Sequence, residues 1–370
     1  MSLLTLVLFI AGIVLLISGA ELLVRGASRL AVAVGVTPLV VGLTVVAFGT
    51  GSPELAVGVQ ASLAGKADIT VGNIVGSNIF NVLFILGISA IVAPLIVSQQ
   101  LVRLDVPLMI VVSLALLLMA ADGVIARTEG SILIASSVAY SWLLIRISRR
   151  ETAKVHAEYE QAYGHAEPNE HAQRWYIHVL LILAGLALLV VGADWLVNGA
   201  VSIANAMGVS ELIISLTIIA AGTSLPEVAT SIIAGLRGER DIAVGNVVGS
   251  NLFNILVVVG IAGLVSADGL RVAEPAVNFD IPVMVAASVL CLPIFFLNYR
   301  IGRWEGALFL GYYIAYTLYL VLATSQHDAL PAFSVVMMYF IIPLTIATVG
   351  LALLREVLRA RQQERASGIR

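Results

Sequence analysis

A stretch of seventeen residues in this chain returns in closely similar form. GNIVGSNIFNVLFILGI at 72–88 returns as GNVVGSNLFNILVVVGI at 245–261, an offset of 173. The same offset carries Glu54 onto Glu227, Asn81 onto Asn254 and SGAELLVRGA at 18–27 onto VGADWLVNGA at 191–200. LDVPLMIVVS at 104–113 pairs with FDIPVMVAAS at 279–288, and ARTEG at 126–130 with GRWEG at 302–306. Self-similarity on this scale fixes the architecture before any local assignment does.

The repeated unit is apolar. The chain is 60% hydrophobic and 12% charged, which is the composition of a polytopic membrane protein. Apolar runs long enough to span lipid fall near 3–24, 33–63, 69–93, 105–121, 129–147, 176–197, 208–235, 242–265, 279–297, 304–323 and 332–354, eleven in all. None alternates apolar with polar residues as a barrel strand would. The first run has no basic n-region and is too long for a cleaved signal, so it reads as a span.

Five spans fall in each copy of the repeat. Five is odd, so the second copy enters the membrane from the opposite side. The expected fold is an all-α polytopic membrane protein of two inverted five-helix repeats, with an eleventh C-terminal helix outside them. The expected divisions are 1–147 for the first repeat, 148–175 for a cytoplasmic linker loop and 176–323 for the second repeat. Residues 324–370 then supply the extra helix and a basic tail. His156, His165 and His171 in the linker fit no ligand spacing, and the stretch reads as a solvated loop.

Charge placement orients the chain. With alternating spans, seventeen of the twenty Lys and Arg lie on one face, and only Lys66, Arg127 and Arg271 on the other. The positive-inside rule then puts the N-terminus outside and the C-terminus in the cytoplasm of a cell (inner) membrane. The single cysteine, Cys291, excludes an intrachain disulfide.

Two faults interrupt this apolar pattern. AFGTGSPE occupies 47–54 and AAGTSLPE occupies 220–227. Pro53 and Pro226 lack an N–H, which frees the carbonyls of Gly49 and Gly222, and the glycines weaken the helix at the same place. A freed carbonyl in lipid must find a partner or line a polar cavity. A carboxylate at mid-helix costs about 2.5–3.5 kcal/mol on insertion scales, and neither motif helix has Lys or Arg at that depth. Glu54 and Glu227 therefore read as facing the repeat interface and holding cations between them.

The GSNIFN and GSNLFN segments add neutral oxygens. Ser77 and Asn81 are four residues apart on one helical face, as are Ser250 and Asn254. Asn73 and Asn246 read as backbone partners only. With Thr50, Thr223 and Ser224, the set offers an all-oxygen cage with neither sulfur nor imidazole, which suits a hard cation. Calcium accepts 6–8 oxygens in flexible geometry, and sodium is close to it in size.

These doubled motifs resemble the cation/calcium exchanger superfamily, and within it the sodium/calcium exchangers of prokaryotes, over residues 1–323. The resemblance implies a secondary active antiporter that trades Ca²⁺ for Na⁺, about three Na⁺ per Ca²⁺, by alternating access. It implies Glu54 and Glu227 as ligands shared by both ions, completed by carbonyls at Ala47, Thr50, Ala220 and Thr223. Thr50 and Ser77 would serve one outlying sodium site, and Thr223, Ser224 and Ser250 the other, with Asn81 and Asn254 flanking the centre. The first and sixth helices would slide across the core.

The sequence departs from that pattern twice. Gly51 stands where the second repeat has Ser224, and position 254 is Asn where the potassium-dependent branch favours an acid. An H⁺/Ca²⁺ or K⁺-dependent antiporter is the alternative reading, and a channel a more distant one. No G-x-x-x-x-G-K-[ST] loop supports ATP-driven pumping, and no histidine lies near either motif to support an intramembrane enzyme. The expected partners are the two ions and the lipid bilayer, with no cofactor and no nucleic acid. The number of subunits is not legible.

Overall fold

A computed structural model describes residues 3–163, 175–207, 214, 218, 220–297, 299–352 and 354. Nearly all of them are helical, as a chain in lipid requires, because a helix satisfies its backbone within one segment. In the first half, α1 is Leu3–Val34, α2 Pro38–Thr50, α3 Ser52–Leu63, α4 Ile69–Val92, α5 Leu101–Asp122 and α6 Arg127–Tyr163. In the second, α7 is Trp175–Ala206, α8 Leu225–Leu236, α9 Arg240–Val265, α10 Ala276–Phe296 and α11 Arg303–Thr324. A last helix, α12, covers Leu330–Ala352. Helices α2 and α3 meet at 47° and make one broken span. The counterpart of α2 in the second half lies largely outside the described residues, which resume at the helical turn Ala220–Gly222. Of the eleven expected spans, nine are unbroken helices among the described residues, one is the broken pair, and the eleventh is represented by α8.

The inversion is visible at several contacts. Gly12 packs on Gly192, Gly19 on Gly185 and Gly26 on His178, so α1 and its repeat mate α7 run antiparallel. Two short ribbons repeat the message. β1 (Leu95–Ile96) pairs antiparallel with β4 (Arg300–Ile301), and β2 (Val124–Ile125) with β3 (Leu270–Arg271). Each ribbon joins the connection after the third span of one half to the connection after the fourth span of the other. That is possible only if the halves enter the membrane from opposite sides. Gly87 against Gly306 and Gly130 against Gly260 likewise pair the third span of each half with the fifth of the other.

The α1–α7 contact is unusually close. A Cβ added at Gly185 would lie 2.6 Å from the backbone nitrogen of Leu23, and one at Gly19 would lie 2.8 Å from the Gly185 carbonyl. Small residues permit such approach in membranes, where apolar burial itself drives little association. At the basic end of α1, Arg237 grips Glu21 through Nε (2.8 Å to Oε2) and Nη2 (2.6 Å to Oε1), and Ser28 donates to Glu239 at 2.7 Å. Glu21 thus joins α1 to the end of α8.

Two expectations need correction or refinement. Residues 148–163 are not a loop: α6 continues through them to Tyr163, so the division expected at 147 falls inside a helix. The stretch SRRETAKVHAEYEQAY has no Gly or Pro and many strong helix formers, and Gly164 and Pro168 come only after it. His165 and His171 lie outside the described residues. The C-terminal α12 has no buried residue among those described, and the Tyr312 hydroxyl of α11 donates to its Thr345 Oγ1 at 2.6 Å.

Candidate functional site

Both proline faults become the starts of new helices. Pro53 sits in the first turn of α3 and Pro226 in the first turn of α8, where a missing N–H costs nothing. Glu54 and Glu227 follow at once, so each carboxylate stands at a helix N-terminus, which favours negative charge. The turn residues are alike: Gly51 has φ −77°, ψ 2°, and Ser224 has φ −90°, ψ 7°. The chain reverts to helix through Leu55 N–H to Gly51 O (3.1 Å) and Val228 N–H to Ser224 O (3.1 Å).

The carboxylates are sealed in the core, each 1% exposed. Ser224 donates to Glu54 Oε1 at 3.3 Å, a bond between the two halves, and lies 3.3 Å from Ser77 Oγ. Ser224 therefore sits with Ser77 and Glu54, across the halves, whereas the resemblance grouped it with Thr223 and Ser250. Glu54 Oε2 and Glu227 Oε2 have no hydrogen-bond partner, and neither do Thr223 Oγ1 and Ser250 Oγ. Thr50 donates to Asn246 Oδ1 at 3.2 Å. Of the four carbonyls that the resemblance implied, that of Ala47 accepts from Gly51 N–H at 3.0 Å, which leaves one lone pair. Ala220 opens the helical turn before Thr223, where Ser224 N–H goes instead to Ala221 O at 3.2 Å.

Four asparagines close the centre in a pseudo-symmetric clamp. Asn81 donates to Asn251 Oδ1 at 3.1 Å, and Asn254 donates to Asn78 Oδ1 at 3.0 Å. Asn78 and Asn251 in turn donate to each other's backbone carbonyls, at 3.4 and 3.3 Å. The clamp uses up the amide nitrogens of Asn81 and Asn254. Their Oδ1 atoms are left buried and unpartnered, and an amide oxygen is an acceptor only. Both residues lie in stretches of wider π-helix, Phe80–Ile85 and Asn254–Val259, a distortion frequent at functional sites.

Asn78 and Asn251 were not singled out from sequence, though both stand in the doubled GSN and the repeat itself was the signal. Asn246 was undervalued. It is fully buried, accepts from Thr50, and donates to Ser231 Oγ at 3.0 Å and to the Glu227 carbonyl at 3.4 Å. Its repeat mate Asn73 leaves Nδ2 unpartnered. Gly245 and Gly249 let α9 approach α2, with added Cβ atoms 3.1 Å from Leu39 O and 2.7 Å from Leu43 O.

The site thus gathers two carboxylates, two amide oxygens and several hydroxyls. The buried acceptors left over, on Glu54, Glu227, Asn81 and Asn254, are costly to leave unmatched in a dry interior. These oxygens together could hold a cation. Among the described residues no group of three or more His, Cys, Asp or Glu offers a metal site. A cage of two charges and neutral oxygens holds a hard ion without trapping it.

Comparison with known proteins agrees in fold and motif. The family model described as sodium/calcium exchanger protein matches residues 4–146 and 177–322, the two halves found in the sequence. The inner membrane protein YrbG of Escherichia coli is 35% identical over 74% of this chain and 83% of its own length. The sodium/calcium exchanger MaX1 of Methanosarcina acetivorans is 29% identical over 75% of this chain and 87% of its own. A solved structure of the sodium-calcium exchanger NCX_Mj superposes with a TM-score of 0.71 at 30% identity, covering 85% of this chain and 98% of that one. The chain is a helical integral membrane protein and belongs to the sodium/calcium exchanger family.

Proposed function

We propose that this protein is a secondary antiporter that exchanges Ca²⁺ for Na⁺, with Glu54 and Glu227 as the central ligands of both ions. The observation that carries the reading is the set of buried, unpartnered oxygens on those two glutamates and on Asn81 and Asn254. They converge from two oppositely oriented halves. Thr50, Thr223, Ser77, Ser224, Ser250 and the carbonyls of Ala47 and Ala220 complete the cage. Inverted repeats with broken helices and a central ion site are a recurring design of secondary transporters. The names of NCX_Mj and MaX1 support sodium and calcium as the ion pair, and the name of YrbG supports an inner-membrane location. The excess of basic residues supports an N-terminus outside and a C-terminus in the cytoplasm.

Two carboxylates balance one Ca²⁺, and three Na⁺ exceed them by one charge, so a three-to-one exchange is electrogenic. At ~100 mV that charge is worth ~2.3 kcal/mol. A tenfold sodium gradient adds about 1.4 kcal/mol per ion, or about 4.2 for three. The sum, roughly 6.5 kcal/mol, sustains a calcium ratio above ~10⁴. The site is closed to solvent in this conformation, which fits the occluded stage of an alternating-access cycle in which α1 and α7 move across the core.

The test is ⁴⁵Ca²⁺ uptake into proteoliposomes loaded with Na⁺, with K⁺, or with a pH gradient alone. Uptake driven by Na⁺ and accelerated by an inside-positive potential is expected. Uptake driven only by the pH gradient would transfer the coupling to protons, and uptake without any counter-ion would make the protein a channel.

A further inference from the structure

The two halves of the site are unequal, and packing explains why. Gly51 and Ser224 are repeat mates with nearly the same backbone angles, so the backbone does not demand glycine at 51. Space does. A Cβ on Gly51 would lie 2.7 Å from Cδ1 and 2.9 Å from Cε1 of Phe253. That ring leans on Phe48, with centroids 4.5 Å apart. Its repeat mate Phe80 instead stacks on Phe84 at 4.6 Å and meets Tyr313 edge-on at 5.2 Å.

The repeat offset identifies the substitutions behind this. Phe84 is replaced by Val257 in the second half, so Phe253 lacks the ring that draws Phe80 aside. Ala221 is replaced by Phe48 in the first half, which gives Phe253 a ring beside Gly51. Two sequence differences between the halves therefore act together, and their joint effect is to deny a side chain at 51.

The consequence appears among the oxygens. On one side, the Ser224 hydroxyl sits 3.3 Å from both Glu54 Oε1 and Ser77 Oγ. Each glutamate leaves its Oε2 buried without a partner, so the sides differ in their hydroxyls: Ser250 Oγ, the repeat mate of Ser77 Oγ, is buried with no partner of its own. The hydroxyl that would mirror Ser224 is absent because Gly51 has no side chain.

We propose that Glu227 and Ser250 form a monovalent-cation pocket one protein oxygen short of its Glu54–Ser77–Ser224 counterpart, so that the counter-ion fills the two pockets with unequal affinity. The inference rests on the antiporter reading above. A hydroxyl facing a charge is worth about ten- to hundredfold in affinity. The incomplete pocket therefore sets the half-saturating sodium concentration for exchange, and the complete one fills first.

The experiment is Na⁺-driven ⁴⁵Ca²⁺ exchange by the full chain in proteoliposomes, titrated with Na⁺, with sodium-free ⁴⁵Ca²⁺ binding as the measure of folding. G51S/F48A supplies the hydroxyl and removes the ring that holds Phe253 over it. It is expected to lower half-saturating Na⁺ about tenfold and steepen the curve, while F48A alone stays within about twofold of the parent. S224G is expected to abolish the high-affinity component of Na⁺ binding. The proposal is overturned if G51S/F48A binds calcium normally yet keeps the parent's Na⁺ dependence. Should G51S/F48A fail to bind calcium, S224G decides: loss of the high-affinity component supports the inequality, and an unchanged titration refutes it. Failure of the antiporter reading is seen separately, as absence of Na⁺-driven flux in the parent protein, and would remove this inference with it.

Discussion

Asn254 gives its amide hydrogen to Oδ1 of Asn78, 3.0 Å away in the opposite half, and Asn81 does the same to Asn251 at 3.1 Å. Each bond fixes the amide nitrogen and so leaves the amide oxygen as the free end. Asn78→Ala removes the acceptor, and the Asn254 amide is then free to rotate. Loss of one such bond costs about 1–3 kcal/mol when a buried donor is left unmatched. We expect about a tenfold weaker calcium affinity by equilibrium ⁴⁵Ca²⁺ binding. Because Asn78 acts through Asn254, N78A/N254A is expected to be little worse than N254A alone.

Glu54→Gln and Glu227→Gln keep the size of the side chain and remove one charge each. In Glu54→Gln the amide oxygen still accepts from Ser224. Divalent affinity follows the charge count of the cage, so each variant is expected to lose calcium uptake by more than about a hundredfold. An unaltered gel-filtration profile would confirm that the fold survives, and normal transport by either variant would refute its role as a ligand.

Gly19→Leu tests the bare contact between α1 and α7. A Cβ there already meets the Gly185 carbonyl at 2.8 Å, so a larger side chain must force the helices apart. Overpacking of this kind costs about 1–3 kcal/mol. The ion cage is formed by other helices, so calcium binding is expected to persist while exchange slows at least tenfold.

Asp105 supplies a test of stability. It is fully buried, and Tyr140 and Gln100 donate to its two oxygens at 2.9 and 3.2 Å. Asp280 and Tyr316 repeat the pair at 2.9 Å in the second half. Tyr140→Phe strands a buried acceptor and is expected to destabilise by about 1–3 kcal/mol. The half-exposed Tyr316 pair is expected to matter less, and the comparison of melting temperatures in detergent checks both.

Arg237→Gln removes the grip on Glu21. The arginine is 54% exposed, and exposed pairs contribute at most about 1 kcal/mol. The melting temperature is expected to stay within about 2 °C. On the proposed cycle the pair must break whenever α1 moves, so turnover is expected to rise by up to about fivefold. Rising ionic strength should reproduce part of that gain in the parent protein.

What could be read from sequence followed the repeat. A motif that occurs twice in five-span units fixes both the inversion and the pairing of Glu54 with Glu227, because offset and parity need no knowledge of side-chain direction. The asparagine clamp was harder. Whether Asn78 faces Asn254 depends on how α4 crosses α9, and helical periodicity does not specify a crossing. The unequal halves were visible as Gly51 against Ser224, but the cause lay in the tilt of the Phe253 ring. The continuation of α6 to Tyr163 is hidden by the polarity of the stretch, which suggests a loop, whereas helix propensity there is high and no breaker intervenes before Gly164.

The two ribbons bear on which part of the molecule can travel. One ties residues 95–96 to 300–301 and the other ties 124–125 to 270–271, each bridging the halves. A shear of one half past the other would have to tear backbone bonds at both membrane surfaces together. At the α1–α7 contact, bare glycine backbone meets backbone, and α1 is moored at its basic end by side chains whose bonds solvent can replace. On the proposed cycle, the fold divides into a stator, riveted on both faces, and a shuttle that has only to slip its mooring.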